Sequence, residues 1–193
     1  MEQLSVGFAC CGSFCTMARA VEALKELAGQ YSTLYPIASE TMAATDTRFG
    51  RARDFLDQME ELCGRPVIST VAAAEPVGPK KLLDVLVICP CTGNTIGKLA
   101  NGITDTAVTM AAKAHLRNGR PVVIAMATND GLSGAIRNIG ALLGRKNYYF
   151  VPFRQDDPAG KPSSLVADFG LLGETVRAAL EGRQIQPMLL GPA

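Results

Sequence analysis

Thr92, Asn94 and Thr95 stand together directly after an apolar run, and their hydroxyl and amide groups could bind an anion or a polar ring. The run over residues 85–89 is unbroken, which is typical of a strand buried on both faces of a parallel sheet. An amphipathic stretch follows, so the polar turn opens a helix whose free N–H groups attract anions. The simpler alternative is a helix cap, in which Thr92 or Asn94 accepts a backbone N–H.

Three further polar turns follow predicted strands. Gly12 and Ser13 come after the first strand, Ser39 and Thr41 after the second, and Thr128 after the fifth. The glycines of the first turn do not form a dinucleotide fingerprint or a P-loop. Because ligands bind at the carboxyl edge of a parallel sheet, we expect these turns to converge on one ligand. Their mostly neutral donors suit a phosphate and a flat heterocycle better than a metal ion.

Apolar runs and amphipathic stretches alternate along the chain, and these elements position the polar turns. This alternation predicts an α/β fold, a three-layer Rossmann-like architecture with a doubly wound parallel sheet. The length of 193 residues fits a single domain over residues 1–193, with a C-terminal tail from about residue 183. We expect strands over residues 4–10, 33–38, 66–70, 85–89, 121–126 and 148–153, and helices that include residues 47–62, 104–116 and 171–180.

The composition argues against several classes of function. A formal net charge of +1 gives no support for a nucleic-acid partner, and no apolar run approaches the roughly 20 residues that cross a membrane. No basic region precedes the first apolar residues, so we expect a cytoplasmic protein whose six cysteines are reduced thiols. Cys89 and Cys91 are separated by one residue and the chain has a single histidine, so we expect no metal site.

Two predicted helices carry residues with alternative roles. Arg48, Arg51 and Arg53 lie early in the helix over residues 47–62, where the helix dipole favours acids. These arginines bind a ligand, contact a neighbouring subunit or lie on a solvent-exposed face of the helix. The alanine-rich helix over residues 104–116 would let another helix approach closely, and His115 near its end is expected to cap the last carbonyls.

The segment over residues 154–164 is polar and too irregular for a helix or strand. Arg154 and Lys161 could bind the carboxylates of a small substrate, because arginine can form two parallel hydrogen bonds and lysine acts as a point charge. They could also contact a partner protein. The alternative is a surface loop whose charges pair with Asp156 and Asp157.

These turns resemble those of the flavoprotein family, which includes flavin prenyltransferases and flavin-dependent peptidyl-cysteine and phosphopantothenoylcysteine decarboxylases. The hallmark of the family is Pro-Ala-Ser-Ala-Asn-Thr followed by a Lys-x-Ala-x-Gly-x-x-Asp run. The matching residues are Pro90, Asn94, Thr95, Lys98, Ala100, Gly102 and Asp105. The resemblance implies a homo-oligomer that binds FMN across the turns. The cofactor-binding residues are then Gly12, Ser13, Ser39, Thr41, Pro90, Thr92, Gly93, Asn94, Thr95 and Thr128.

A narrower resemblance, to one branch of this family, covers nearly the whole chain. It rests on Thr-Arg-Phe-Gly at 47–50, Ala-Glu-Pro-Val-Gly-Pro-Lys at 74–80, Thr-Met-Ala-Ala-Lys-Ala at 109–114 and Gln-Asp-Asp-Pro at 155–158, with Lys-Pro at 161–162. This branch belongs to endospore formers and is associated, with an NADP-linked A subunit, with oxidising dihydrodipicolinate or its hydrated precursor to dipicolinate. The resemblance therefore implies an oxidoreductase subunit of the mother cell during sporulation, with a small dicarboxylate substrate.

Two departures from the wider family bear on the reaction. The decarboxylases carry a histidine after the second strand and Pro-x-Met-Asn after the fifth, where this chain has Ser-Glu-Thr at 39–41 and Ala-Thr-Asn-Asp at 127–130. These differences argue against a cysteine-decarboxylase reaction. A decarboxylase or prenyltransferase-like enzyme stays the second hypothesis, and a non-catalytic partner subunit without flavin the third. No residue of the sequence is assigned as a catalytic base.

Overall fold

In the computed structural model, which describes residues 2–191, strands and helices alternate along the chain. The strands are β1 (Glu2–Cys10), β2 (Tyr31–Ala38), β3 (Val85–Cys91), β4 (Val122–Thr128), β5 (Tyr148–Phe150), β6 (Phe153–Arg154) and β7 (Leu165–Ala167). The helices are α1 (Met17–Ala28), α2 (Glu40–Ala44), α3 (Ala52–Cys63), α4 (Val71–Ala74), α5 (Gly93–Asn101), α6 (Ala107–Leu116), α7 (Ile136–Leu143) and α8 (Leu172–Leu180). None of the described helices is long and apolar enough to cross a membrane.

Five parallel strands form the main sheet, in the order β2-β1-β3-β4-β5. On one side α1 contacts α8, and on the other α5 contacts α6 and α7. The predicted three-layer α/β architecture is therefore confirmed. All seven residues of β3 are buried, as its unbroken apolar run predicts. The order of the strands reverses between β1 and β3, and ligands of doubly wound sheets bind at such a switch point.

The edge of the sheet beside β2 differs from the prediction. Pro36 is tolerated in β2 because it lies in an edge strand and its missing N–H would face outward, away from β1. Its carbonyl also faces outward and accepts the N–H of Ile68 at 2.9 Å. The predicted strand over residues 66–70 is wrong, since Ile68 forms only an isolated bridge with Ile37. Thr70 ends this extended stretch, because its side chain accepts the N–H of Ala73 and caps α4.

The opposite end of the sheet is mixed rather than wholly parallel. The predicted strand over residues 148–153 is divided into β5 and β6, and between them lies Pro152, which has no N–H to donate. The short strand β7, which the sequence did not reveal, pairs antiparallel with the end of β4 and with β6. Leu189, in the predicted tail, forms a bridge with Phe153; Pro192 and Ala193 lie outside the described residues. This arrangement brings the segment over residues 155–164 to the carboxyl end of β4.

Helix α3 begins later than predicted. Thr47 and Gly50 close a tight turn through two backbone hydrogen bonds of 3.0 and 3.1 Å, which takes these residues out of the helix. Asp46 then accepts the N–H of Ala52 at 2.8 Å and satisfies a free donor at the helix start. The early arginines of the predicted helix therefore occupy the turn and the first residues of α3.

Helix α6 is buried within its own chain. Its small-residue face packs against α4 and the turn that follows, and a Cβ on Gly78 would lie only 2.7 Å from the carbonyl oxygen of Ala114. This face is therefore not free to receive a second copy. His115 is fully buried, and its Nε2 lies 3.0 Å from the carbonyl oxygen of Pro121. The prediction that His115 caps the carbonyls at the end of its helix is wrong, because burial directs the ring toward the loop before β4.

Candidate cofactor-binding site

A cleft of about 520 Å³ opens at the carboxyl ends of β1, β3 and β4, beside the switch point of the sheet. This volume is within the range of small-molecule sites, roughly 300–1,000 Å³. The lining consists of residues 12–16, Arg48, Phe49, Thr92, Gly93, residues 127–129, Asp156, Lys161, Ser164, Leu165 and Val166. Three of the four predicted turns, those after β1, β3 and β4, therefore line one cleft.

The first wall of the cleft is the turn between β1 and α1. Ser13 is fixed there because Thr16 Oγ1 donates to its carbonyl at 2.9 Å and lies 3.0 Å from its hydroxyl. The N–H of Cys11 donates to the carbonyl of Pro90 at 3.1 Å, so the ends of β1 and β3 are joined. Cys15, on the same wall, is an exposed thiol.

The second wall is the start of α5, where a chain of hydroxyls runs into the core. Thr92 caps the helix by accepting the N–H of Thr95, and it donates to Thr95 Oγ1 at 3.1 Å. Thr95 in turn donates to Cys11 Sγ at 3.2 Å. The pKa of the buried Cys11 thiol is lowered by hydrogen bonds from Cys91 and Thr95, although burial opposes this. The capping interpretation is thus confirmed for Thr92, whose side chain also reaches the cleft.

The third wall is the turn after β4. The Thr128 hydroxyl donates to the carboxylate of Asp130, and both groups lie against the first residue of α5. A Cβ on Gly93 would come within 2.6 Å of Thr128 Oγ1 and of Asp130 Oδ1. Only a glycine lets these two side chains approach the helix so closely. Asp130 was not predicted as a site residue, because its contact with Gly93 joins two distant turns.

The fourth wall is the segment that precedes β7. Lys161 Nζ lies 3.1 Å from Asp156 Oδ2, and this pairing raises the pKa of Lys161. Burial acts to raise the pKa of Asp156, but hydrogen bonds from Ser164 and Lys161 lower it below its usual value. The N–H of Leu132 donates to Ser163 at 2.9 Å, which ties this segment to the turn after β4.

Several predicted site residues lie elsewhere. Ser39 is occupied in capping α2, where it accepts the N–H of Met42 at 3.2 Å, and Thr41 is exposed beside Gly12. Asn94 is exposed at the start of α5, and its side chain is not part of the cleft wall. Arg154 forms an ion pair of 2.8 Å with Asp168 and does not line the cleft. Pro90 is buried in β3, and Thr95 is buried beneath the cleft as described above.

The donors around the cleft fit FMN better than a metal ion. Hydroxyls of Ser13, Thr92 and Thr128 and the cations of Arg48 and Lys161 line it. The Ser13 hydroxyl and the Lys161 ammonium group can donate to phosphate oxygens. The hydroxyls of Thr92 and Thr128 already donate to Thr95 and Asp130, so they can only accept from a ligand, and the apolar Leu165 and Phe49 suit a planar ring. Within residues 2–191, no group of three or more His, Cys, Asp or Glu side chains is placed to hold a metal.

Comparison with known proteins agrees with this geometry. The sequence profile of the Flavoprotein family matches residues 1–133. The chain is 43% identical to the B subunit of dipicolinate synthase from Bacillus subtilis (strain 168) over 185 residues, which are 96% of this chain and 92% of that protein.

Solved structures with a similar fold agree with these sequence matches. The crystal structure of the B subunit of dipicolinate synthase from Bacillus halodurans C matches with a TM-score of 0.90 and 41% identity, over 100% of both chains. A dodecameric FMN-dependent Ubix-like decarboxylase from Escherichia coli O157:H7 shares the fold at 22% identity, with a TM-score of 0.60 over 76% of this chain and 79% of that chain. The resemblance seen in the sequence is confirmed, and the chain belongs to the Flavoprotein family.

Proposed function

We propose that this chain binds FMN in the cleft and serves as the B subunit of dipicolinate synthase. With an NADP-linked A subunit, it oxidises dihydrodipicolinate, or its hydrated precursor, to dipicolinate during sporulation. The observation that carries the flavin assignment is the convergence of Ser13, Thr92 and Thr128 on one cleft at the switch point. The similarity to the Bacillus subtilis dipicolinate synthase chain, over 96% of this chain, supports the choice of reaction.

In this proposal the phosphate of FMN lies near Gly12 and Ser13, and its ring lies near Thr92, Gly93 and Thr128. FMN supplies a hydride acceptor when it is bound. The residues of the chain hold the ring and the substrate in contact and exclude water, and the gain in aromaticity favours loss of hydride from the dihydropyridine. Asp156 is paired with Lys161, so we do not assign it as a general base.

An assay of the two proteins together tests the proposal. Mixed with the NADP-linked partner, NADP and dihydrodipicolinate, the FMN-loaded chain should form dipicolinate, and the flavin-free chain should give little product. Equal product from the flavin-free chain would support a non-catalytic role in the complex instead. Release of carbon dioxide from a cysteinyl peptide would support the decarboxylase hypothesis.

We also propose that the chain forms a homo-oligomer. Ile136 and Leu143 lie seven residues apart on α7, so they share one helix face, and their exposed fractions are 47% and 38%. Large apolar side chains grouped on a surface favour association between subunits. The dodecameric state of the Ubix-like relative also supports this proposal. Light scattering should give a mass of several chains, and a monomer that binds FMN tightly would contradict it.

A further inference from the structure

The turn over residues 47–50 is held rigidly against α3. Its two backbone hydrogen bonds join Thr47 and Gly50, and the N–H of Phe49 donates to Thr47 Oγ1 at 3.2 Å. Gly50 has a φ of +146°, and a Cβ there would lie 2.8 Å from the ring of Phe55. A larger residue at position 50 would separate the turn from α3, so Gly50 is needed for the turn to lie close to this helix. The two residues at the tip, Arg48 and Phe49, are thereby held at the wall of the cleft.

Arg48 differs from the other cations near it. Its guanidinium lies 4.8 Å from the centre of the Phe49 ring, and it forms no ion pair with any residue of the described range 2–191. By contrast, Arg51 pairs with Asp54 at 2.8 Å, and Lys161 pairs with Asp156. Of the two cations that line the cleft, Arg48 is therefore the one that forms no ion pair with a described carboxylate.

Phe49 adds an exposed aromatic ring to the wall of the cleft. Its exposed fraction is 46%, although burial of an aromatic ring of this size stabilises a protein. A planar cation beside an exposed ring matches a ligand that is itself planar, aromatic and anionic. The guanidinium can donate two parallel hydrogen bonds to a carboxylate, and the phenyl ring can cover the apolar part of such a ligand.

We propose that Arg48 and Phe49 form the binding site for a pyridine dicarboxylate, with Arg48 holding one carboxylate. The placement of this ligand beside a flavin rests on the function proposed above, but the contact with Arg48 does not. The phosphate of FMN is the other anion that could bind the guanidinium of Arg48. The two anions are distinguished by measuring the affinity of each variant for dipicolinate and for FMN separately.

Isothermal titration of the full-length protein, with and without FMN, tests the site. The probes are dipicolinate and pyridine-2,6-dicarboxamide, which has the same outline and no charge. The wild-type chain should prefer dipicolinate, and Arg48→Gln should weaken dipicolinate binding by about tenfold or more and remove the preference. Phe49→Leu should weaken both probes. Arg51→Gln, which removes a nearby surface arginine outside the cleft, should change neither affinity.

Five outcomes of these titrations support or overturn the proposed site. Loss of dipicolinate affinity in Arg48→Gln with FMN affinity within about twofold of wild type supports the site. Unchanged dipicolinate affinity in that variant overturns it, and so does a loss confined to FMN, which would assign Arg48 to the phosphate. A wild-type protein that binds FMN but not dipicolinate overturns the site and leaves the flavin proposal intact. A protein that binds dipicolinate through Arg48 without binding FMN supports the site and contradicts the flavin proposal.

Discussion

An alanine at position 93 should weaken FMN binding by roughly 5- to 150-fold, although the chain still folds. The added Cβ would lie within 2.6 Å of Thr128 Oγ1 and Asp130 Oδ1, so one or both side chains must move. Thr128 lines the cleft, and its displacement would alter the wall against which we place the flavin ring. Overpacking of this kind costs about 1–3 kcal/mol, and we expect this cost to oppose binding because the ring requires Thr128 at its wild-type position; it corresponds to that range of affinity.

Gly97→Ala is the matched control. It lies on the same helix, and a Cβ there would meet only Asn138 Nδ2, at an ordinary 3.5 Å. Flavin fluorescence should therefore give a wild-type dissociation constant for Gly97→Ala and a raised one for Gly93→Ala. Alkylation of the exposed thiol of Cys15 gives a second readout, because FMN at ten times its dissociation constant should slow this reaction about tenfold in the wild-type chain. Wild-type affinity in Gly93→Ala would contradict the site.

Acidification should destabilise the protein between about pH 6.5 and pH 4 through its single histidine. Burial lowers the pKa of His115 from 6.5 to about 4, so the folded protein binds fewer protons than the unfolded chain in this window. The stabilisation is complete above pH 6.5 and is lost as the pH falls through about 4. The maximum loss is roughly 3 kcal/mol of the free energy of unfolding.

The geometry gives this penalty a specific cause. His115 Nε2 lies 3.0 Å from the carbonyl of Pro121, so Nε2 carries the proton in the neutral ring. Nδ1 is buried and has no hydrogen-bond partner among the residues that the structure describes, so a second proton there would have no acceptor in that part of the chain.

Two measurements check the pH dependence. Because the chain has one histidine, its proton NMR resonance in untagged protein should titrate near pH 4, and a midpoint near 6.5 would contradict the prediction. Urea unfolding at several pH values should show a smaller slope between pH 4 and 6.5 in His115→Gln than in wild type. The lowered pKa of Asp105 and Asp156 places their titration below this window.

The sequence by itself determined the parallel core and the location of three polar turns. Strands such as β3 are recognisable because burial on both faces requires an unbroken apolar run, whatever the neighbouring strands are. Thr92 is predictable as a cap because its partner, Thr95, is three residues away. Since the direction of a parallel strand sets which end its turn occupies, these local signals were enough to predict the cleft at the carboxyl edge.

The tertiary structure alone decided which polar groups remain available to a ligand. Thr95 donates to Cys11, 84 residues away, and Arg154 pairs with Asp168, while Arg48 at the cleft forms no ion pair with any of residues 2–191. No local pattern distinguishes these residues, because each partner is chosen by how distant segments pack. The strand β7 has the same origin, because it is stabilised by pairing with the distant β4. The turn at residues 47–50 is closed by its own hydrogen bonds, but its position beside the cleft depends on its contact with Phe55.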